Sequence, residues 1–370
     1  MIPLFHPPDQ DVEATLKELR DTLESRWWGQ GPKVDRWEEA FGKEFGFKYC
    51  VATNSCTAAL HLAFVLAGLK PGRRAMVPVL TCSATSHAVR YTGAEISYVD
   101  IKPDTLTLDS DDLAHRCQAG DVIVPVHLSG LVDSAKAIKA WADVSRCTIV
   151  EDAAQALGAD GVGYGHFTCF SFQAIKALST GDGGMLVCQN EEDYKRAKRL
   201  RWFAIDREQK QRRDWQAWDR RGITFDQEEM GWKYQPTDID ACFGLAALPT
   251  FRTRELAHRH ALARAYREHL KGCPGVDLLK GEGSADWLFM VLVRGDRDAL
   301  AGYLLKHDIE TNVAHIRNDV FQVFGGHRHD LPGMASVEYR YLCLPMNSKV
   351  SLENVEFICQ KIWDWSGNPV

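Results

Sequence analysis

Up to about residue 150 the chain alternates short apolar runs with segments of helical spacing, and few folds accommodate that order. Strand-like runs stand at 49–52, 74–78, 95–99, 122–126 and 148–150, and helical patterns separate them at 57–69, 84–91, 110–116 and 135–142. Strands joined through crossover helices imply a mostly parallel sheet covered by helices on both faces. Ligands of such sheets bind beyond the carboxyl ends of the strands. The polar residues of this chain gather at those ends, in Asn54-Ser-Cys-Thr57, between Thr81 and Thr85, at His127 and at Asp152. Two helical patterns come first, 12–26 through Val12, Leu16, Leu19 and Leu23, and 33–45 through Val34, Trp37, Phe41 and Phe45. Beyond residue 250 the texture changes to a long helix at 255–270, a strand at 287–293, and helices at 298–307 and 352–365. The expectation is a large α/β domain over residues 1–250 and a smaller α+β domain over 251–370.

One lysine carries the chemistry. Lys176 stands in the run Cys169-Phe-Ser-Phe-Gln-Ala-Ile-Lys-Ala-Leu-Ser-Thr-Gly-Asp-Gly-Gly184, between an alternating apolar stretch and a turn rich in Ser, Thr and Gly. Apolar, uncharged flanks favour a lowered pKa, and a desolvated lysine amine forms Schiff bases with aldehydes. Asp152 ends the apolar run Thr148-Ile-Val-Glu-Asp152, 176 − 152 = 24 residues earlier, which leaves room for a turn and a second strand. A carboxylate there keeps a pyridinium nitrogen protonated, the arrangement expected of a pyridoxal phosphate (PLP) site. Each residue also has a plainer reading. Asn54-Ser-Cys-Thr57 and Asp152 fit helix N-caps, Gln155 a polar first turn, and Lys176 a solvated lysine.

Six segments remove that ambiguity by their order. Trp28-Gly-Gln-Gly-Pro32, Asn54-Ser-Cys-Thr-Ala-Ala-Leu-His-Leu-Ala63, Pro78-Val-Leu-Thr-Cys-Ser-Ala-Thr85, Glu151-Asp-Ala-Ala-Gln155, the Lys176 run and Gly231-Trp-Lys-Tyr-Gln-Pro-Thr-Asp238 follow one another along the chain. Together they resemble the DegT/DnrJ/EryC1/StrS family of PLP-dependent nucleotide-sugar aminotransferases, almost end to end. The resemblance implies PLP fold type I, aspartate aminotransferase-like, and a cytoplasmic homodimer with composite sites. Deoxyamino-sugar biosynthesis for lipopolysaccharide or O-antigen would be its setting. By resemblance, Lys176 would form the Schiff base and later shuttle the α-proton, and Asp152 would hold the ring nitrogen. Ser55, Cys56 and Thr57 would form the phosphate loop, and Ser171 would touch the phosphate. Gln155 would reach the phenolic oxygen, Cys82 would lie at the ring, and Lys233 would serve the phosphate of the neighbouring subunit. Trp28, Gly31, His315, Arg317 and Asn318 would face the substrate.

In the reaction so implied, glutamate converts PLP to pyridoxamine phosphate, which then aminates a keto group, C4 ahead of C3, on a nucleotide-linked deoxysugar. Relatives with His at the Lys176 position dehydrate sugars instead, and this chain keeps Lys. A dehydratase of the same family and a catalytically silent PLP-binding regulator are the alternatives. The chain departs from the family pattern at three places. Cys56 stands where Gly is usual, and Gln235-Pro236 replaces the common residues after Tyr234. Cys82 stands where an aromatic often stacks on the ring, so another group must cover it, such as one from 84–87. The glycines of 158–165 lack a strand-to-helix setting and read as a turn.

Composition excludes other classes. A net charge of −6 argues against general nucleic-acid binding. No apolar run is long enough to cross a bilayer, and Met1-Ile-Pro-Leu-Phe-His6 does not open a signal peptide. The 11 cysteines are scattered without a CxxC pair and read as reduced thiols; no clustered ligands suggest a metal. The basic stretch 195–221, with Trp202, Trp215 and Trp218, reads as a solvated helix face followed by a loop whose cations meet a diphosphate. The polar segment 206–226 is the best candidate for a mobile loop.

Overall fold

The computed structural model describes residues 1–132, 134–206, 227–281 and 283–367. Of the segment expected to be a mobile loop, all but Asp206 lies outside the described residues, as do Trp215 and Trp218.

Two helices open the chain, α1 (Val12–Ser25) and α2 (Pro32–Phe45). Among the described residues, seven strands then build the large sheet: β1 (Tyr49–Thr53), β2 (Arg74–Pro78), β3 (Glu95–Val99), β4 (Val122–Ile123), β5 (Thr148–Asp152), β6 (Phe167–Ser171) and β7 (Gly184–Cys188). Their spatial order is β1-β7-β6-β5-β4-β2-β3. Neighbours from β3 to β6 run parallel, and β7 runs antiparallel to both β6 and β1. Helices α3 (Cys56–Leu66), α4 (Ser83–Tyr91), α5 (Ser110–Arg116) and α6 (Ala135–Ser145) fill the crossovers, and α7 (Glu191–Leu200) follows β7.

The alternation therefore reads as expected, with two local differences. The run at 122–126 pairs as a strand only over Val122–Ile123. Pro125 has no N–H for the ladder; its carbonyl accepts from Asp152 N at 2.9 Å, and Val126 meets Asp152 only as an isolated bridge. The helix expected at 57–69 starts one residue earlier and ends at Leu66, where Gly68 takes a positive φ of 80° and turns the chain out.

Downstream, helix Asp238–Ala247 packs against α1 and α2. A π-helical turn at Phe251–Leu256 leads into helix Ala257–His269. An antiparallel sheet of β8 (Val276–Leu278), β9 (Phe289–Val293) and β10 (Tyr341–Leu344), in the order β10-β9-β8, lies under the terminal helix Leu352–Gly367. No helix among the described residues is long and apolar enough to cross a membrane.

Candidate active site

A cavity of about 440 Å³ opens where the parallel strands end. Its walls come from the β1–α3 junction, the segment after β2, the ends of β5 and β6, and the C-terminal part of the chain through Trp287, Ala314 and His315.

At the first of these walls α3 begins. Ser55 is its N-cap, with Oγ accepting from Ala58 N at 3.1 Å. The N–H groups of Cys56 and Thr57 sit in the first turn, where no intrahelical carbonyl can meet them, and both residues line the cavity. That end offers an anion two donors and the positive pole of the helix. The helix start lies tight against β7. A Cβ on Gly184 would stand 2.5 Å from Ser55 O and 2.6 Å from Cys56 N, so only glycine allows this approach. Capping and anion binding are thus not rivals here, because the cap uses a side chain and leaves the backbone donors.

Asp152 ends β5 and is 4% exposed. Thr85 Oγ1 donates to its Oδ2 at 2.6 Å, and Ala154 N donates to its Oδ1 at 3.1 Å. Thr85 is supported in turn by Thr81, 2.9 Å away. A turn rather than a helix follows Asp152, so the N-cap reading does not hold for it, nor the first-turn reading for Gln155.

Lys176 lies on a tight turn after β6. Its N–H donates to Gln173 O at 2.8 Å, Ile175 N donates to Gln173 Oε1 at 3.1 Å, and Thr180 N donates to Phe172 O at 2.9 Å. Phe172 is locked in the core against Trp37 and Phe41. The Lys176 amine ends 3.8 Å from the centre of the Trp287 ring. Burial pushes its pKa down, with Arg259 acting in the same direction, while Cys56, Asp152 and Cys82 favour the charged form.

Gln155 joins the two parts of the chain. Its Oε1 accepts from Ser129 N at 2.7 Å, and its Nε2 donates to His315 Nε2 at 2.9 Å. Burial, helped by Lys176, pushes the His315 pKa down to about 4, so the ring accepts this bond as neutral imidazole.

The remaining expected residues divide clearly. Ser171 and Cys82 line the cavity. Lys233 does not; it is exposed, with its carbonyl accepting from Asn54 Nδ2 at 3.3 Å. Trp28 and Gly31 also stand outside the cavity of their own subunit. Gly31 N and Val34 N donate to Asp238 Oδ1 at 2.7 and 3.1 Å, so the carboxylate that ends the Gly231–Asp238 motif caps α2. Arg317 and Asn318, expected at the sugar, are turned inward instead. Arg317 is 2% exposed and bonds Asp319 and Glu338, and Asn318 bridges Thr81 O and Ser86 Oγ. Asn318 thereby holds the segment after His315 against α4, while Arg317 ties it to Glu338. Sequence reading missed Phe5 and Trp287, whose rings stack 6.0 Å apart at the cavity, because an isolated aromatic in an apolar run carries no local sign of a site. Thr85 was within reach, since it closes the Pro78–Thr85 motif.

An amine, a buried carboxylate and a helix N-terminus around one space match the aldehyde, ring nitrogen and phosphate of PLP. Comparison with known proteins agrees. Residues 9–363 match the DegT/DnrJ/EryC1/StrS aminotransferase family. Spore coat polysaccharide biosynthesis protein SpsC of Bacillus subtilis is 30% identical over 94% of this chain and 93% of its own length. Sugar aminotransferase CalS13 from Micromonospora echinospora superposes with a TM-score of 0.90 at 30% identity, covering 98% of this chain and 100% of that one. Spr1654 from Streptococcus pneumoniae superposes in its PMP form with a TM-score of 0.89 at 27% identity over 99% of both chains. Its PLP form gives 0.88 at 26%, again over 99% of both. A match running from residue 9 to residue 363 on this fold shows what the chain is: it belongs to the DegT/DnrJ/EryC1/StrS aminotransferase family, PLP-dependent sugar aminotransferases of fold type I.

Proposed function

We propose that this enzyme moves an amino group from glutamate to a keto group, C4 ahead of C3, of a nucleotide-linked deoxysugar. The observation that carries the reading is the meeting of the Lys176 amine, the Asp152 carboxylate and the α3 N-terminus in one cavity. PLP bound there supplies an aldehyde that exchanges amines and a ring that withdraws electrons from the α-carbon. Everything else falls to the chain. Lys176, whose pKa burial pushes down, would supply the amine that bonds the cofactor and would afterwards accept and return the α-proton. Asp152, held by Thr85 and Ala154 N, would hold the ring nitrogen in its protonated form. Cys56 N, Thr57 N and Ser171 would hold the phosphate, and Gln155, with its carbonyl fixed by Ser129 N and its amide nitrogen on His315, would reach the ring oxygen. Phe5, Leu60, Ile175 and Trp287 keep water from the lysine. We place Lys233, exposed and outside its own cavity, at the phosphate of the partner in a homodimer.

The near-visible absorbance spectrum, before and after L-glutamate, tests this first. A yellow band that bleaches with glutamate supports PLP, Lys176 and the donor together; a band unmoved by glutamate removes glutamate as donor. Keto-sugar nucleotides are then screened by mass spectrometry. A product that gains nitrogen is the transamination expected, whereas ammonia release with a deoxygenated sugar would mean a dehydratase. Lys176→Ala should abolish turnover while far-UV circular dichroism stays unchanged, and turnover at the wild-type rate would sink the assignment.

A further inference from the structure

The indole under the Lys176 amine is held from every side. Trp287 is 4% exposed. Its Nε1 donates at 3.2 Å to the carbonyl of Ile175, the residue next to the lysine. Its backbone N donates to Ser129 O at 3.1 Å, and its carbonyl accepts from Arg259 Nη1 at 2.9 Å. The ring stacks on Phe5 at an interplanar angle of 29°. These contacts fix the plane of the ring, and that plane presents its π face to the amine at 3.8 Å. An ammonium over an indole face is attracted electrostatically, more strongly where water is excluded.

The reaction read above makes a demand that this geometry meets. Lys176 must leave the cofactor when the amino donor takes its place, carry the α-proton as an ammonium, and return. A flexible four-carbon stem keeps no orientation by itself and loses rotamer entropy when it is held. We propose that Trp287 is a positioning residue, its indole face being the berth of the Lys176 ammonium whenever that amine is not bonded to the cofactor. The proposal rests on Lys176 being the Schiff-base lysine. Other groups facing the amine are Asp152 on β5, Cys56 on α3, Cys82 before α4, Arg259 on helix Ala257–His269, and His315. The first three favour the charged form, Arg259 opposes it, and the indole adds to the favourable set.

The test reads the lysine directly. In cofactor-free protein, the pH dependence of Lys176 labelling by 1-fluoro-2,4-dinitrobenzene, followed by peptide mass spectrometry, gives the midpoint of its titration. Removing a group that stabilises the ammonium lowers that midpoint. Trp287→Leu should lower it by about half a unit to one unit, a roughly three- to tenfold loss of proton affinity, and Trp287→Phe, which keeps a ring face, should recover most of it. Trp287→Met, more flexible and better able to fill the gap, gives the same comparison if the leucine variant does not fold. With PLP bound, the aliphatic variant should lose about tenfold in kcat while KM for glutamate stays near wild type. An unchanged labelling midpoint, or a phenylalanine variant no better than leucine, overturns the berth. Failure of the underlying reading looks different: wild-type protein would then show no near-visible band with PLP, whereas a band kept in Trp287→Leu confines the failure to the indole.

Discussion

The two faces of β5 carry neighbouring buried carboxylates with opposite surroundings. Glu151 is fully buried and meets four donors, Gly163 N at 3.1 Å, Gly165 N at 2.7 Å, Thr168 Oγ1 at 2.8 Å and His127 Nε2 at 2.9 Å. Asp152, one residue on and therefore on the other face, accepts from Thr85 and Ala154 N and lines the cavity. The first carboxylate ties the turn before β6 to the sheet, and its oxygens are fully used within the protein. The second keeps capacity for a bond that the protein itself does not make. Burial and acidity are shared, so neither marks a functional acid. What separates them is whether the hydrogen bonding closes on itself or stays open toward a cavity.

Substitution should break this pair in opposite directions. Asp152→Asn keeps an oxygen for Ala154 N and puts an N–H against the Thr85 hydroxyl, which can turn to accept it while donating to Thr81, so stability should hold while kcat falls by about 10²- to 10³-fold, as when a charge aimed at the reacting system is removed. Steady-state kinetics beside a thermal melt checks both halves, and near-normal kcat would show that another group serves the ring nitrogen. The mirror image is Glu151→Gln. Its amide hydrogens would face donors in a closed site, costing about 2–3 kcal/mol of stability with kcat of the folded enzyme little changed. Urea denaturation reads the cost. A large loss of kcat at unchanged stability would erase the contrast between the two faces. The smallest effect is expected of Thr85→Val, which removes the 2.6 Å bond but leaves the Asp152 carboxyl group in place and enclosed. Orientation alone is then at stake, and kcat should fall about tenfold. A loss as large as that of Asp152→Asn would mean the hydroxyl does more than orient.

Lys176 and Asp152 were legible because each stands at the end of a strand, and strand ends in an open α/β sheet face the same side whatever the rest of the chain does. The shortening of β4 was not read, although Pro125 inside the run 122–126 marks it. Arg317 and Asn318 were not legible. Their residue types suit a sugar as well as a buried network, and Asp319, Glu338, Thr81 and Ser86 had to be in place before the network could claim them. Phe5 and Trp287 lie 287 − 5 = 282 residues apart, and their rings meet beside the lysine only after both ends of the chain have packed on the sheet.

By itself, then, the sequence determined the alternation of elements, and with it the sheet and the rim where the lysine and the carboxylate emerge, because hydrophobic periodicity and turn chemistry are local properties. Tertiary structure alone decided which of two adjacent carboxylates stays open, which cations are consumed by internal pairs, and which ring lies beneath the amine. Those outcomes depend on partners distant in the chain, and a side chain's chemistry does not name its partner until the backbone has brought the two within a few ångströms.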